Sequence, residues 1–176
     1  LFLARGDNNT MTIQMTEFDV SELAKEVVKE TKMIDTSHDF DSTIQSVYIN
    51  ADEGLIKQAF RILIDNAIKY TEPGGKIKVQ VEEKEGKAML IVSDEGIGIP
   101  PEDLPKIFDR FYRTDESRAR STGGTGLGLS IANWICERHG GHMEVISRVG
   151  IGTKISIVLP AVSKDLIAAN TNEGNG

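Results

Sequence analysis

The sequence predicts a two-layer α/β sandwich, a mixed and mostly antiparallel sheet with about three helices on one face. Three observations lead there. Residues 52–70 repeat apolar side chains at helical spacing: Leu55, Ile56, Ala59, Phe60, Ile62, Leu63 and Ala67. Ile77, Val79 and Val81 alternate with polar residues, as a strand buried on one face does. Helical and strand patterns then follow one another to the end of the chain without an internal repeat, separated by glycine clusters. With 176 residues, 39% of them hydrophobic and 27% charged, the chain can build one ordinary domain around a real core.

Taken in order, residues 1–5 are apolar and helix-friendly until Gly6, Asp7, Asn8 and Asn9 break them. Residues 1–11 are therefore expected to end a helix of some upstream unit and to link it to a domain of residues 12–162. Residues 12–16 suit a short strand, with Ile13 and Met15 on one side. Asp19 then reads as a helix cap, Glu22 as its capping-box partner, and Phe18 as a staple onto Leu23. Val20, Leu23, Ala24, Val27 and Val28 form that helix's core face. Residues 35–42 look like a loop and 44–49 like a strand. The long helix follows, begun by Asn50 or Asp52 and stopped by Glu72, Pro73, Gly74 and Gly75. After the strand of Ile77, Val79 and Val81, Glu85 and Gly86 turn the chain into residues 88–92. That run is more continuously apolar and suits the sheet centre. Residues 94–100 are a glycine-punctuated loop and 101–111 a short helix or turn. Residues 114–122 carry no large apolar side chain, which predicts mobility. A helix with Leu127, Ile131, Trp134 and Ile135 comes next, ended by Gly140 and Gly141. Strands at 143–147 and 154–159, joined by Val149, Gly150, Ile151 and Gly152, close the domain, and residues 163–176 read as a frayed tail.

Composition narrows the functions. A formal charge of −7 and a pI near 5.0 leave no basic surface for a nucleic acid, although one local cationic pocket could still hold a nucleotide. Cys136 is the only cysteine, so an internal disulfide is excluded and a reducing compartment fits. No apolar run is long enough to span a bilayer and no signal-peptide pattern is present. The chain opens on Leu1 rather than Met, which suggests an excised fragment or a processed form.

Candidate chemistry gathers in three places. Steps of three and four put Leu55, Ala59, Ile62, Asn66 and Tyr70 on one stripe, which aims Asn66 at the interior. A buried amide without partners costs about 1–3 kcal/mol, so either nearby backbone or a ligand must bond to it. Lys69 can place a cation over the same spot, and an amide, a cation and the phenol of Tyr70 could serve a metal–phosphate group. Asp94, Glu95, Gly96, Ile97, Gly98 and Ile99 follow the central strand directly. They are either a plain turn or a place where Asp94 accepts from an exocyclic amine such as adenine's, with Gly96 and Gly98 letting backbone approach the base. Gly123, Gly124, Thr125, Gly126, Leu127 and Gly128 open a helix, and read as a hinge or as a phosphate cradle. Neither a Walker lysine nor a preceding strand accompanies that loop. Arg110, Arg113, Arg118 and Arg120 flank or lie in the polar segment and could reach a terminal phosphate. His38, His139 and His142 lack metal-ligand spacing with Cys136 and read as surface or structural residues.

In this order the pieces resemble the catalytic and ATP-binding domain of bacterial sensor histidine kinases. That family shares the Bergerat-type nucleotide fold with DNA gyrase B, mismatch-repair ATPases and the heat-shock ninety chaperone. Asp65, Asn66, Ala67, Ile68, Lys69 and Tyr70 look like the N box, and residues 94–98 like the first glycine box. Phe108, Asp109, Arg110, Phe111, Tyr112 and Arg113 look like the F box, residues 124–128 like the second glycine box, and Gly150, Ile151, Gly152 and Thr153 like the closing turn.

The resemblance implies that Asp94 reads adenine within a loop of Gly96, Ile97, Gly98 and Ile99. It implies that Asn66 holds Mg²⁺ and that Lys69 and Tyr70 contact phosphates. Residues 108–125 would form a lid, with Arg110, Arg113, Gly124, Thr125, Gly126, Leu127, Gly128 and Thr153 completing the site. Asn66, Lys69 and Arg110 are the expected catalytic groups. The implied reaction moves the γ-phosphoryl of ATP to a histidine and on to an aspartate of a response regulator. The implied parent is a membrane-anchored sensor with this domain in the cytoplasm, and the fragment alone is expected to be monomeric.

Two departures from the pattern matter. Many kinases carry another Asn one turn before Asn66, and hydrolytic relatives a Glu; here the residue is Ile62, which speaks against intrinsic hydrolysis. A nucleotide-gated clamp of the gyrase sort is the rival reading, and a serine-directed kinase of the same fold a third. No His here is followed by the Glu and Pro of a phosphoacceptor motif, so the acceptor is expected on helices upstream.

Overall fold

The computed structural model describes residues 12–109 and 128–162. Expectations for residues 1–11, 110–127 and 163–176 lie outside the described residues.

A four-residue strand, β1 (Thr16–Asp19), leads into α1 (Val20–Ile34). The carboxylate of Asp19 caps α1 by accepting from the Ser21 amide at 2.9 Å. Glu22 does not close a capping box; it is exposed and pairs with Lys25 at 3.5 Å. Two strands follow, β2 (Asp39–Ile44) and β3 (Tyr48–Ala51), then the long helix α2 (Glu53–Tyr70), capped by Asp52. β4 (Lys76–Lys84) and β5 (Lys87–Asp94) form a hairpin, and a single 3-10 turn stands at Leu104–Lys106. Helix α3 (Gly128–Arg138), β6 (His142–Arg148) and β7 (Gly152–Pro160) complete the order.

The main sheet runs β2-β4-β5-β7-β6, parallel only between β2 and β4, so β5 is its centre as its apolar run predicts. β1 and β3 form a small antiparallel ribbon, tied to the end of β7 by a bridge from Ile49 to Ala161. Two expectations change here. The first strand starts at Thr16, not residue 12, because pairing with β3 puts Phe18 opposite Ile49. The stretch taken as a loop and one strand is two strands in two sheets. β2 is an edge strand on which only Phe40 and Ile44 are partly buried, so its sequence carries almost no apolar alternation.

Register stacks the inward side chains in rows. Val79, Val92, Ile155 and Val145 form one row, and Val81, Leu90, Ile157 and Met143 the next. Against them lie Val20, Leu23, Ala24 and Val27 of α1, Ile56, Ala59, Phe60 and Leu63 of α2, and Ala132 and Ile135 of α3, in one core. Burying each large aliphatic or aromatic side chain contributes about 1.5–3 kcal/mol.

Two histidines fasten α2 at its ends. Nε2 of His139 accepts from the Asp52 amide at 3.0 Å while Nδ1 donates to the Ile135 carbonyl at 2.7 Å, which joins α3 to the start of α2. His38 lies between Asp35 Oδ2 at 2.8 Å and the Thr71 carbonyl at 2.7 Å, at the other end. Cys136 is fully buried, and burial pushes its thiol up to about 12, with Glu137 adding to the effect. Since the thiolate is the nucleophile, iodoacetamide at pH 8 should leave Cys136 unmodified in the folded chain and alkylate it in urea. Labelling at equal rates in both states would contradict this burial.

Candidate nucleotide site

One end of the sheet's helix-facing surface turns polar. The last inward row reads Phe40, Ile77, Asp94, Thr153 and Ser147 across all five strands. Asp94 therefore ends the central strand on the same face as Val92 and Leu90, at the rim of the core. Its Oδ1 accepts from the Gly96 amide at 2.8 Å and the Thr153 amide at 3.2 Å. Its Oδ2 takes no hydrogen bond from any described residue. Burial raises the pKa of Asp94, and the two amide bonds offset only part of that rise.

The loop after Asp94 is pinned between α2 and the turn from β6 to β7. The Ile97 amide donates to the Tyr70 carbonyl at 3.2 Å, and the Gly150 amide to the Ile97 carbonyl at 2.9 Å. A Cβ at Gly96 would overlap the Tyr70 carbonyl oxygen, and one at Gly98, whose φ is +75°, would overlap the Arg148 carbonyl. The space these glycines leave is thus filled by the protein's own backbone, rather than kept open for a flat ligand.

On α2 the core face is Leu55, Ile56, Ala59, Phe60, Leu63, Ile64 and Ala67. Asn66 lies about 70° around the helix from the centre of that face, at 100° per residue. It sits at the edge of the core face, between the directions of Leu55 and Ala59, and like Ile62, Lys69 and Tyr70 it is half-buried rather than buried. Its amide bonds to no described residue. The ammonium of Lys69 stands 5.5 Å from the ring centre of Tyr70. Gly128, at the start of α3, faces Ile62: a Cβ there would come within 3.3 Å of Ile62 Cγ2.

The fold so brings Asp94, Gly96, Ile97, Gly98, Ile99 and Thr153 together at one end of the sheet beside Tyr70, with Asn66 and Lys69 near the end of α2 and Gly128 against Ile62. Arg110, Arg113, Gly124, Thr125, Gly126 and Leu127 lie outside the described residues. Ser147 escapes the sequence reading, although its place two residues beyond Val145 in an alternating strand puts a hydroxyl on the inner face. Its Oγ accepts from the Ile99 amide at 2.7 Å and meets Thr153 Oγ1 at 2.9 Å.

The arrangement offers a half-buried carboxylate oxygen at the rim of the core and, on α2, a cation and an amide that bonds to no described residue. Residues 51–163 match the family of histidine kinase-, DNA gyrase B-, and HSP90-like ATPases. The chain is 50% identical over 113 residues to the sensor histidine kinase YkoH of Bacillus subtilis, covering 64% of this chain and 24% of that protein. It is 38% identical over 160 residues to the signal transduction histidine-protein kinase ArlS of Staphylococcus aureus, covering 90% of this chain and 36% of that protein. The chain thus spans well under half the length of these relatives. The solved mycobacterial sensor histidine kinase MprB superposes with a TM-score of 0.74 at 29% identity, over 84% of this chain and 98% of that one. The chain belongs to the histidine kinase-, DNA gyrase B-, and HSP90-like ATPase family, as a catalytic ATPase domain of the sensor histidine kinase kind.

Proposed function

We propose that this chain binds Mg-ATP between the flank of α2 and the 94–99 loop and transfers the γ-phosphoryl to a histidine of an upstream helical domain, for relay to a response-regulator aspartate. The observation that carries this reading is Asp94, with one oxygen held by two backbone amides and the other offered from a half-buried position. An exocyclic amine is the partner that such an acceptor takes up.

The metal would arrive with the nucleotide. Among the described residues no group of three His, Cys, Asp or Glu could hold an ion alone. Asn66 supplies one oxygen and Ile62, a turn earlier, none, which suits Mg²⁺ completed by phosphate and water. Lys69, Tyr70, Arg110, Arg113 and the glycine loop of Gly124, Thr125, Gly126, Leu127 and Gly128 are assigned to the phosphates. In a loose phosphoryl transfer such groups position the reactants and neutralise charge. A hydrolytic clamp would need a carboxylate where Ile62 packs against Gly128. No helix among the described residues is long and apolar enough to cross a membrane, and we assign this domain to the cytoplasmic part of an anchored sensor, monomeric by itself.

Mixed with the phosphoacceptor helices of its own parent and γ-labelled Mg-ATP, the chain should place acid-labile, base-stable label on one histidine. Tight Mg-ATP binding without any labelled acceptor would contradict the transfer.

A further inference from the structure

We propose that Ser147 is a positioning residue that fixes the Thr153 hydroxyl as a hydrogen-bond acceptor toward the cleft, and so sharpens the choice of an amino-bearing purine. This rests on the nucleotide reading above. The argument is a count of protons. Ser147 Oγ has three neighbours: the Ile99 amide at 2.7 Å, Thr153 Oγ1 at 2.9 Å and the Gly152 carbonyl at 3.1 Å. A serine hydroxyl has one proton and two acceptor positions. The amide can only donate and the carbonyl can only accept. All three contacts are made in one arrangement alone: Ser147 gives its proton to Gly152, and Thr153 gives its own proton to Ser147. The reverse, Ser147 donating to Thr153, leaves the Gly152 contact unmade.

With its proton committed, Thr153 presents only lone pairs to a ligand. Asp94 and Thr153 are direct partners on neighbouring strands and share the inner face of the sheet. Asp94 Oδ2 and Thr153 Oγ1 then offer acceptors from paired positions on neighbouring strands, to the hydrogens of an amino group or to a water that such a group orders. Ser147 also tethers the Ile99 amide, so the 94–99 loop and the 150–153 turn are held by one oxygen. A site built to bond an N–H rejects the analogue lacking it, because its acceptors are left unpaired.

The test uses the full chain with Mg²⁺ and compares binding of ATP with binding of purine riboside triphosphate, which lacks the 6-amino group. Ser147→Ala should weaken ATP about tenfold and the analogue less than twofold, so the preference collapses. Ser147→Thr, which keeps the hydroxyl, should restore the preference. Thr153→Val, which keeps the shape and removes the acceptor, should lose the same preference and lose no more when combined with Ser147→Ala. Equal weakening of both nucleotides, or an unchanged preference in Ser147→Ala or in Thr153→Val, overturns the proposal. A parent chain that binds neither nucleotide overturns instead the nucleotide reading on which it stands.

Discussion

Asn66→Ala should abolish the magnesium-dependent part of nucleotide binding while leaving the fold in place. The half-buried amide of Asn66 bonds to no described residue, so its loss breaks no hydrogen bond among the described residues. Alanine is also the better helix former, by roughly half a kcal/mol, so the melting temperature should hold or rise slightly. The metal is another matter. Ile62, one turn earlier, offers no oxygen with which to share or take over the ion. Calorimetry should give a dissociation constant at least about 100-fold weaker in Mg²⁺, roughly 2.7 kcal/mol, and equal to that in EDTA. A variant that still binds ATP more tightly with Mg²⁺ than without it would remove Asn66 from the metal.

The second large effect belongs to Asp94. Asp94→Asn can keep a side-chain oxygen for the Gly96 and Thr153 amides, yet it turns an NH₂ toward the cleft where an acceptor stood. Against an amine this sets donor to donor. The loss of a charge-assisted bond, about 1.5–3 kcal/mol, weakens ATP about tenfold to 150-fold and removes most of the preference over GTP. The free chain behaves in the opposite sense. Burial raises the pKa of Asp94, so its charge opposes folding above that pKa and the opposition fades as protonation sets in. Asp94→Asn should therefore be at least as stable as the parent at pH 7, with the difference shrinking as the pH falls through the raised pKa. ATP affinity of the parent should start to fall at a higher pH than an ordinary carboxylate would give. Unaltered ATP affinity in Asp94→Asn would take the base-reading role from Asp94.

The parts of the fold that announce themselves in the sequence are those with one strong period. α2 keeps a 3.6-residue repeat for five turns, and β5 is apolar because β4 and β7 flank it and Ala88, Leu90, Ile91 and Val92 are buried. β2 and β3 are hidden for the opposite reason: β2 is an edge with two half-buried side chains, and β3 owes its place to a ribbon formed with a strand thirty residues earlier. The site shows the same division. Asn66, Lys69, Tyr70 and Asp94 stand out as residue types in a pattern, but the stripe argument makes Asn66 fully interior where the fold leaves it half-buried at the edge of the core face, since spacing alone does not say where that face is centred. Gly96 and Gly98 are read from sequence as room for a ligand, whereas close backbone at Tyr70 and Arg148 is what excludes a side chain there. Ser147 is invisible until register puts it in the row with Asp94 and Thr153.

A crystal structure of this chain with Mg²⁺ and a non-hydrolysable ATP analogue bears most directly on the nucleotide pocket. The adenine amine should lie within hydrogen-bond distance of Asp94 Oδ2, and the ion should bridge Asn66 to the phosphates. An analogue bound away from the 94–99 loop, or an ion held without Asn66, would contradict the account.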